Sequence, residues 1–412
     1  MNVLHITCDI TRGGAAWSTR LLHTALRSAG HSSRVLAGRP SPPMPDTETL
    51  SPMPLWARVP YHAGNLLGLN YAGLPTTRRI AKHPWFEWAD VVHYHNLHGG
   101  FFNYLALPAL TAKKPSVWTL RDMWALTGHC AHSFECERWR IGCGKCPHPE
   151  IDPPIRRDAT HWEWKLKQRV YRRSRMLVTT PSRWLYDLAQ HSILACRPIR
   201  HVNNAVDTDL FCPQERAPLR RALNWPTDAA ILLFAAESLQ NPFKDYQLLL
   251  TALASLSAAH RGNLVLAVLG EGQPPVIDGL RTLALGYCND DRQLARYYAA
   301  ADLLAYPTKA DNQPRVLIEA LSCGCPVVAT RVGGVPELVI PGETGQLANA
   351  GDAHGFRQGI EDLLNNPAQR ARMSENGRRI AVERHGLDKH VVDMLDAYTE
   401  AFRIWNEAEK GR

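Results

Sequence analysis

Along this chain, short apolar runs alternate with longer segments whose apolar residues recur at three- and four-residue spacing. That rhythm predicts parallel sheets joined by crossover helices. In the first half, residues 3–8, 34–37, 91–95, 116–120, 176–180 and 199–202 read as strands, and 16–29, 101–110, 160–174 and 183–191 as helices. Seven prolines between Pro40 and Pro60 point to a long surface loop there, since proline fixes φ and removes a donor. A second series opens after Pro213, with strands at 231–235, 264–269, 303–305 and 326–329 and helices at 247–259, 292–300 and 315–323. The tail is helical over 353–365, 367–385 and 389–409. The two series predict an α/β protein of two Rossmann-like domains, residues 1–203 and 204–385, with parallel sheets facing across a cleft. Residues 203–208 would be the hinge, and residues 386–412 a last helix packing back toward the first domain. Ligands of open α/β sheets bind outside the strand ends, so the cleft is where chemistry is expected.

Length and composition agree with that division. A chain of 412 residues suits two domains of about 200 each. Apolar residues at 45 % against 21 % charged suffice for two cores. No stretch reaches the roughly 18 to 20 uncharged apolar residues of a membrane span. The opening Met1-Asn2-Val3-Leu4-His5-Ile6-Thr7-Cys8 is too short and too polar for a signal peptide and reads as a buried strand. The expectation is a cytoplasmic protein. Reduced thiols fit that compartment: Cys8, Cys196, Cys212, Cys288, Cys323 and Cys325 are scattered and read as small buried hydrophobes. The formal charge of +8 is concentrated, since between Arg156 and Arg175 eight Lys or Arg stand against two acids, a net +6.

Two stretches suggest ligand chemistry. The first strand runs into Asp9-Ile10-Thr11-Arg12-Gly13-Gly14 and then a helix. Gly13 and Gly14 would let backbone N–H groups and a helix N-terminus approach a phosphate. A tight turn without a ligand fits equally well, and the spacing is not the full dinucleotide fingerprint, which argues against an NAD enzyme. Further on, Asp311-Asn312-Gln313-Pro314-Arg315-Val316-Leu317-Ile318-Glu319-Ala320 puts Asp311 in a loop after a strand and Glu319 eight residues later, inside a helix. Both acids are expected to face one cleft. Such a pair suits ribose and sugar hydroxyls, because a carboxylate accepts two hydrogen bonds at once. A lone Glu319 would read as a solvated helix residue.

From Asp311 to Thr330 the chain resembles the signature of glycosyltransferase family 4: two acids spaced E-x7-E, then EAxxxGxPVVA. It is continued by Val332-Gly333-Gly334-Val335-Pro336-Glu337-Leu338-Val339, similar to the family's GGxPE(L/I)V. Upstream, Asn204-Ala205-Val206-Asp207 with Phe211 resembles its NGVD…F hinge, Phe243-Lys244-Asp245 its R-K-G region, and Ala301-Asp302 its usual AD. The resemblance covers nearly the whole chain. It implies a GT-B fold and a retaining enzyme that moves a hexose from a nucleotide-diphosphate sugar to a hydroxyl of a lipid-linked or oligosaccharide acceptor. No catalytic metal and no nucleic-acid partner are implied. Carried over by position, Glu319 would bind the donor ribose, and Lys244 would neutralise the diphosphate, where charge develops on the leaving group. Asp311 would replace the family's first Glu with one methylene less reach, and Gly13 and Gly14 would join the donor site.

Departures from the pattern matter as well. The Arg usually six residues before the Lys is Ser238 here, which shifts the phosphate contact onto Lys244, Gly14 or another basic residue. In Thr119-Leu120-Arg121-Asp122-Met123-Trp124, Arg121 stands where relatives often carry a His near the reacting sugar. A guanidinium is no base at neutral pH but stabilises a departing phosphate. In this family the leaving phosphate itself is thought to assist the acceptor proton. His95, His98 and His129 are the substitutes if a protein base is used. A sugar-nucleotide epimerase of the same fold, or a non-catalytic sugar-binding relative, are the alternatives.

Two further features lie outside that pattern. Cys130-x5-Cys136-x6-Cys143-x2-Cys146 places four thiols within 17 residues and ends in a Cys-Gly-Lys-Cys knuckle suited to tetrahedral zinc in a structural role. The first gap is wider than usual, and an iron–sulfur cluster, disulfides or free thiols are the other readings. This insert is similar to one in transferases of bacterial exopolysaccharides such as colanic acid. The helix after it, His161-Trp162-Glu163-Trp164-Lys165-Leu166-Lys167-Gln168-Arg169-Val170-Tyr171-Arg172-Arg173, mixes cations with aromatic rings. That pattern suits an anionic membrane surface, with a solvated helix face as the simpler reading, and it predicts peripheral attachment at the inner face of the membrane.

Overall fold

Strands that are apolar on both faces need cover on both sides, and each half of this chain supplies it with helices around a parallel sheet. The computed structural model describes residues 1–40, 44–50, 55–69, 71 and 73–410. Contacts divide the chain into one unit of Met1–Asn203 with His390–Arg412 and a second of Asn204–Lys389. The C-terminal helix Leu387–Lys410 thus lies mostly in the first unit.

Among the described residues, the first unit has seven parallel strands, β1 (Asn2–Thr7), β2 (Ser32–Ala37), β3 (Thr47–Thr49), β4 (Val91–Tyr94), β5 (Ser116–Thr119), β6 (Leu177–Thr180) and β7 (Ile199–His201). Their order is β3-β2-β1-β4-β5-β6-β7. The chain leaves β1 in one direction for β2 and returns on the other side for β4, so the switch point lies between β1 and β4, where His5 pairs with His93. On one side of the sheet, Val3, Val91, Val117 and Leu177 pack with Leu22 and Leu26 of the helix Gly13–Ser28 and with Met394, Ala397, Tyr398 and Ala401 of the C-terminal helix. Leu4, Ile6, Val92, Tyr94 and Trp118 belong to the core on the other side.

The second unit repeats the plan with β8 (Ala230–Ser238), β9 (Leu264–Glu271), β10 (Arg281–Gly286), β11 (Leu303–Tyr306), β12 (Val327–Thr330) and β13 (Gly345–Ala348). The order β10-β9-β8-β11-β12-β13 puts its switch point between β8 and β11. Leu232, Phe234, Leu266, Leu303 and Val328 form its core with Phe356 and Ile360 from the helix Ala353–Asn365.

The expected proline-rich loop is corrected in part. Thr47–Thr49 is an edge strand on β2 and Leu55–Leu66 is a helix that carries Pro60, while residues 41–43 and 51–54 lie outside the described ones. A three-residue edge strand asks little of the ladder, and the helix lies at the surface, with Leu55, Val59 and Leu66 exposed, where water can satisfy the carbonyl that Pro60 leaves without a donor. The helix expected at 101–110 begins later, as a 3-10 turn Tyr104–Ala106 running into Leu107–Thr111, because Asn103 caps the turn and Pro108 fits only a first helical turn. The helix expected at 247–259 is two, Tyr246–Ala254 and Ala258–Gly262, divided where Ser257 caps the second.

Candidate functional site

In the second unit, two loops leave the sheet beside its switch point and are stitched together. The Asp245 N–H donates to Pro307 O at 3.0 Å, and the Lys309 N–H and Thr308 hydroxyl both donate to Phe243 O at 2.8 Å. Lys244 and Thr308 pair as an antiparallel bridge. Asp245 caps the helix Tyr246–Ala254 by accepting from Leu248 N–H, so Lys244 is fixed one residue ahead of the cap. Its Nζ donates to Asp311 Oδ2 at 2.5 Å and to Tyr306 Oη, and Tyr306 Oη donates to the same Oδ2 at 2.6 Å. The side chains of Lys244 and Asp311 are 17 % and 21 % exposed, a cation and a carboxylate half-screened from water. The backbone of Asp311 is gripped from behind: Gly333 has φ +50°, and a Cβ there would sit 1.9 Å from Asp311 O. The Gly333-Gly334 pair of the sequence signature therefore exists to let that loop touch the acidic one.

The structure brings Lys244 and Asp311 together and leaves Glu319 apart. Glu319 is 1 % exposed and ion-paired with Arg315 Nε one turn back, beside Tyr298. Among the described residues it shares no hydrogen bond or ion pair with Lys244 or Asp311. Burial holds its carboxyl up to about 7, against the opposing pull of Arg315. A carboxyl raised above its usual 4.5 favours the fold when protonated; that stability is complete below about pH 4.5 and lost as pH rises through 7. Glu319→Gln keeps the neutral form at every pH. Its melting temperature relative to wild type should therefore climb between pH 5 and pH 8, by the equivalent of about 3 kcal/mol, and a pH-independent difference would contradict the assignment. Ser238, in place of the family Arg, uses its hydroxyl to accept the Gln240 N–H at 3.2 Å. Tyr306 was not foreseen. It closes the apolar run of β11 five residues before Asp311, and that position was its only signal.

In the first unit, Asp9 follows β1 and collects the Thr11 N–H and hydroxyl, each at 2.7 Å, after which Gly13 turns with φ +84° into the helix Gly13–Ser28. No atom lies within 4 Å of a Cβ built on Gly13 or Gly14, and the first helical turn has no acidic residue. The first-turn N–H groups of the helix Gly13–Ser28 point toward that open space.

Arg121 leaves β5 and turns inward, donating Nη2–H to His95 Nδ1 at 3.2 Å. Since a guanidinium only donates, His95 must carry its proton on Nε2 and donate to His5 Nδ1, 3.0 Å away. His93 meets Tyr398 Oη at 2.9 Å and Thr119 Oγ1 at 2.6 Å. Burial drives all three imidazoles well below the usual histidine range, so they are neutral. Ligand atoms of His5, His93 and His95 lie within 4.8 Å of one another. Their nitrogens already have partners, apart from His5 Nε2, and the Arg121 cation beside them repels a metal. Burial lowers Arg121 to about 10, still charged at neutral pH. Of the three histidines considered as bases, His95 is locked in this relay and His129 is turned into the cysteine loop. His98 is paired with Asp122 through Nε2 at 2.7 Å, an orientation that leaves Nδ1 as its bare nitrogen.

The basic helix Thr160–Arg173 is corrected on which groups face outward. Lys167 is 0 % exposed and donates to Trp124 O at 2.7 Å and Thr127 O at 3.1 Å. Tyr171 donates inward to Ala125 O, and Trp164 to Trp139 O. Buried Glu163 accepts from Tyr104. Trp162, Lys165, Arg169, Arg172 and Arg173 remain exposed, with Trp162 at 63 %. No described helix is long and apolar enough to cross a membrane.

Comparison with known proteins bears on the family and the fold. The glycosyltransferase family 4 profile matches residues 12–210 and that of glycosyl transferases group 1 matches residues 215–380. A putative colanic acid biosynthesis glycosyl transferase of Escherichia coli, WcaC, is 30 % identical over 60 % of this chain. The chain spans 62 % of that relative's length, less than two thirds. A D-inositol 3-phosphate glycosyltransferase of Mycolicibacterium smegmatis is 31 % identical over 76 % of this chain and 70 % of its own. The fold is also that of HepE from Anabaena, solved in complex with UDP, with a TM-score of 0.67 at 16 % identity over 97 % of this chain and 100 % of that one.

Proposed function

This chain belongs to the glycosyltransferases, with a family 4 first half and a group 1 second half, and on that premise we propose that it transfers a hexose, with retention, from a nucleoside-diphosphate sugar to a hydroxyl of a lipid-linked or oligosaccharide acceptor in cell-surface polysaccharide synthesis. The observation that supports this most is the Lys244–Tyr306–Asp311 cluster at the switch point of the second sheet. The leaving nucleoside diphosphate gains negative charge as the glycosidic bond breaks, and an ammonium fixed in a half-dry site stabilises it with little reorganisation. In this reading Lys244 exchanges part of its contact with Asp311 for phosphate oxygens, and Asp311, freed of the full charge, accepts from sugar hydroxyls. No catalytic metal is needed, because Lys244 supplies the positive charge. The acceptor proton goes to the leaving phosphate.

For Glu319 to hold the ribose, Arg315 must first release it. That step predicts a donor affinity sensitive to both residues. The first test is a thermal-shift panel of UDP- and GDP-sugars: one nucleotide should raise the melting temperature by mass action, and no shift with any of them would remove the donor from this reading.

The lipid-linked acceptor draws support from the exposed face of the helix Thr160–Arg173, where one Trp stands among four cations. Each cation near an anionic surface adds about 1 kcal/mol. Replacing Lys165, Arg169 and Arg172 by Gln should therefore abolish co-sedimentation with phosphatidylglycerol vesicles at low salt; unchanged sedimentation would refute the membrane face.

A further inference from the structure

The cysteine-rich loop between β5 and the helix Thr160–Arg173 encloses a cavity of about 20 Å³, lined by Cys130, Cys136, Cys143, Cys146 and His129. That is room for one water-sized occupant, an ion rather than a substrate. The backbone around it is held in an unusual form. Four successive residues, Gly142, Cys143, Gly144 and Lys145, have φ of +121°, +54°, +83° and +47°. Two of these are not glycine, so the knuckle carries strain that something must repay. The turn aims Cys143 and Cys146 into the cavity, where the Gly128 N–H donates to Cys143 Sγ at 3.2 Å.

His129, 2 % exposed, adds what the cysteine spacing did not reveal. Its Nδ1 lies 2.9 Å from Pro153 O, and a carbonyl only accepts, so Nδ1 carries the proton. The bare Nε2 then points into the cavity, 3.2 Å from Cys146 Sγ. A ring held by its other N–H on a backbone carbonyl, with its Nε2 lone pair turned to a thiol whose proton a metal would displace, is the arrangement of a metal-ligating histidine.

We propose that this loop binds one thiolate-preferring divalent ion of the zinc class, with His129 Nε2, Cys130, Cys143 and Cys146 as its ligands. Cys136 lines the same cavity beside Cys143 and Cys146 and is the competing fourth sulfur, which this assignment leaves out of the shell. It is the cysteine reached across the wide gap, and no hydrogen bond to its sulfur is formed by the 127–129 segment that serves Cys143 and Cys146. No three of these five donor atoms lie within 4.8 Å of one another among the described residues. Bonds of about 2.3 Å to sulfur and 2.0 Å to nitrogen therefore draw the loop inward, and binding and ordering become one event. Three thiol protons leave as three metal–sulfur bonds form. The resulting single negative charge faces the buried Lys167 ammonium beside Cys130 and Cys143. Four protein ligands close the shell, so the ion is structural.

The test uses the full chain, stripped with a chelator and titrated with Co(II), which reports its ligands by absorption. The expected result is one cobalt per chain with sulfur-to-metal charge transfer and tetrahedral d–d bands. Cys136→Ser should leave both spectrum and stoichiometry intact. His129→Ala should shift the d–d bands and weaken binding at least about tenfold, and Cys143→Ser should weaken it further. If Cys136→Ser loses the ion while His129→Ala keeps the wild-type spectrum, four sulfurs are the ligands and the proposed set is wrong. If the wild-type chain takes up no stoichiometric cobalt, there is no site. Neither readout depends on transferase activity.

Discussion

Lys244→Ala should lower kcat/KM for nucleotide-sugar turnover by about 100- to 1000-fold, the effect of removing one fixed charge or donor from a developing oxyanion, roughly 3–4 kcal/mol. Stability should hardly change. The ammonium is partly solvated, and the ion pair it makes with Asp311 at 17 % and 21 % exposure belongs to the class worth about 1 kcal/mol or less. After truncation, Asp311 still accepts from Tyr306 and from its neighbour's Asn312 N–H at 2.9 Å. A large kinetic loss with a nearly unchanged melting curve is therefore the signature. Kinetics within a factor of two of wild type would remove Lys244 from the diphosphate site.

The largest stability effect is expected in the other unit. Lys167→Met should destabilise the first unit by about 3–5 kcal/mol, as removing one member of a buried charged network does, and lower its melting by on the order of 10 °C. Two buried carbonyl oxygens, of Trp124 and Thr127, lose the ammonium that both accept from. Burial lowers Lys167 to about 8 and raises nearby Glu163 to about 7, so neither ion is comfortable without the other. Adding Glu163→Gln to the variant should recover part of the loss, since the leftover carboxylate is then neutral. A calorimetric trace in which Lys167→Met melts with wild type would show that the cysteine loop is not hung from this side chain.

How much of this was legible beforehand depended on the kind of signal. Buried strands were plain, because β4, β5, β6, β11 and β12 are mostly apolar or β-branched, are bounded by turns, and are buried at every position. β10 and β13 escape the pattern: the first is an edge strand whose Arg281, Ala284 and Gly286 are exposed, and the second opens on the last residue of a Gly-Glu-Thr-Gly turn that reads as loop. The Lys244–Asp311 pairing joins residues 67 apart, and only the recurrence of a known pattern at both places hinted at it. Periodicity says which face of a helix is buried, not whether a cation can be drawn under it. Lys167 therefore counted as a surface charge until two carbonyl oxygens and the Trp124 ring, 3.7 Å from its ammonium, showed otherwise. Glu319 was read as open to a ligand for a similar reason: spacing placed it on the helix, but the partner that covers it, Arg315 one turn earlier, is itself part of the signature stretch. The inward turn of Arg121 depended on β1 and β4 lying side by side, a pairing that brings His5 and His95 under it.

The central step is cleavage of an activated sugar from its nucleotide by the second unit's cluster, and proton NMR of the purified protein with UDP- and GDP-sugars reads that step without knowledge of the acceptor. The predicted result is slow release of nucleoside diphosphate together with free sugar that first appears in the donor's own anomeric configuration, and loss of both signals in Lys244→Ala. Nucleotide sugars that stay intact, or that return as an epimer still attached to the nucleotide, would contradict it.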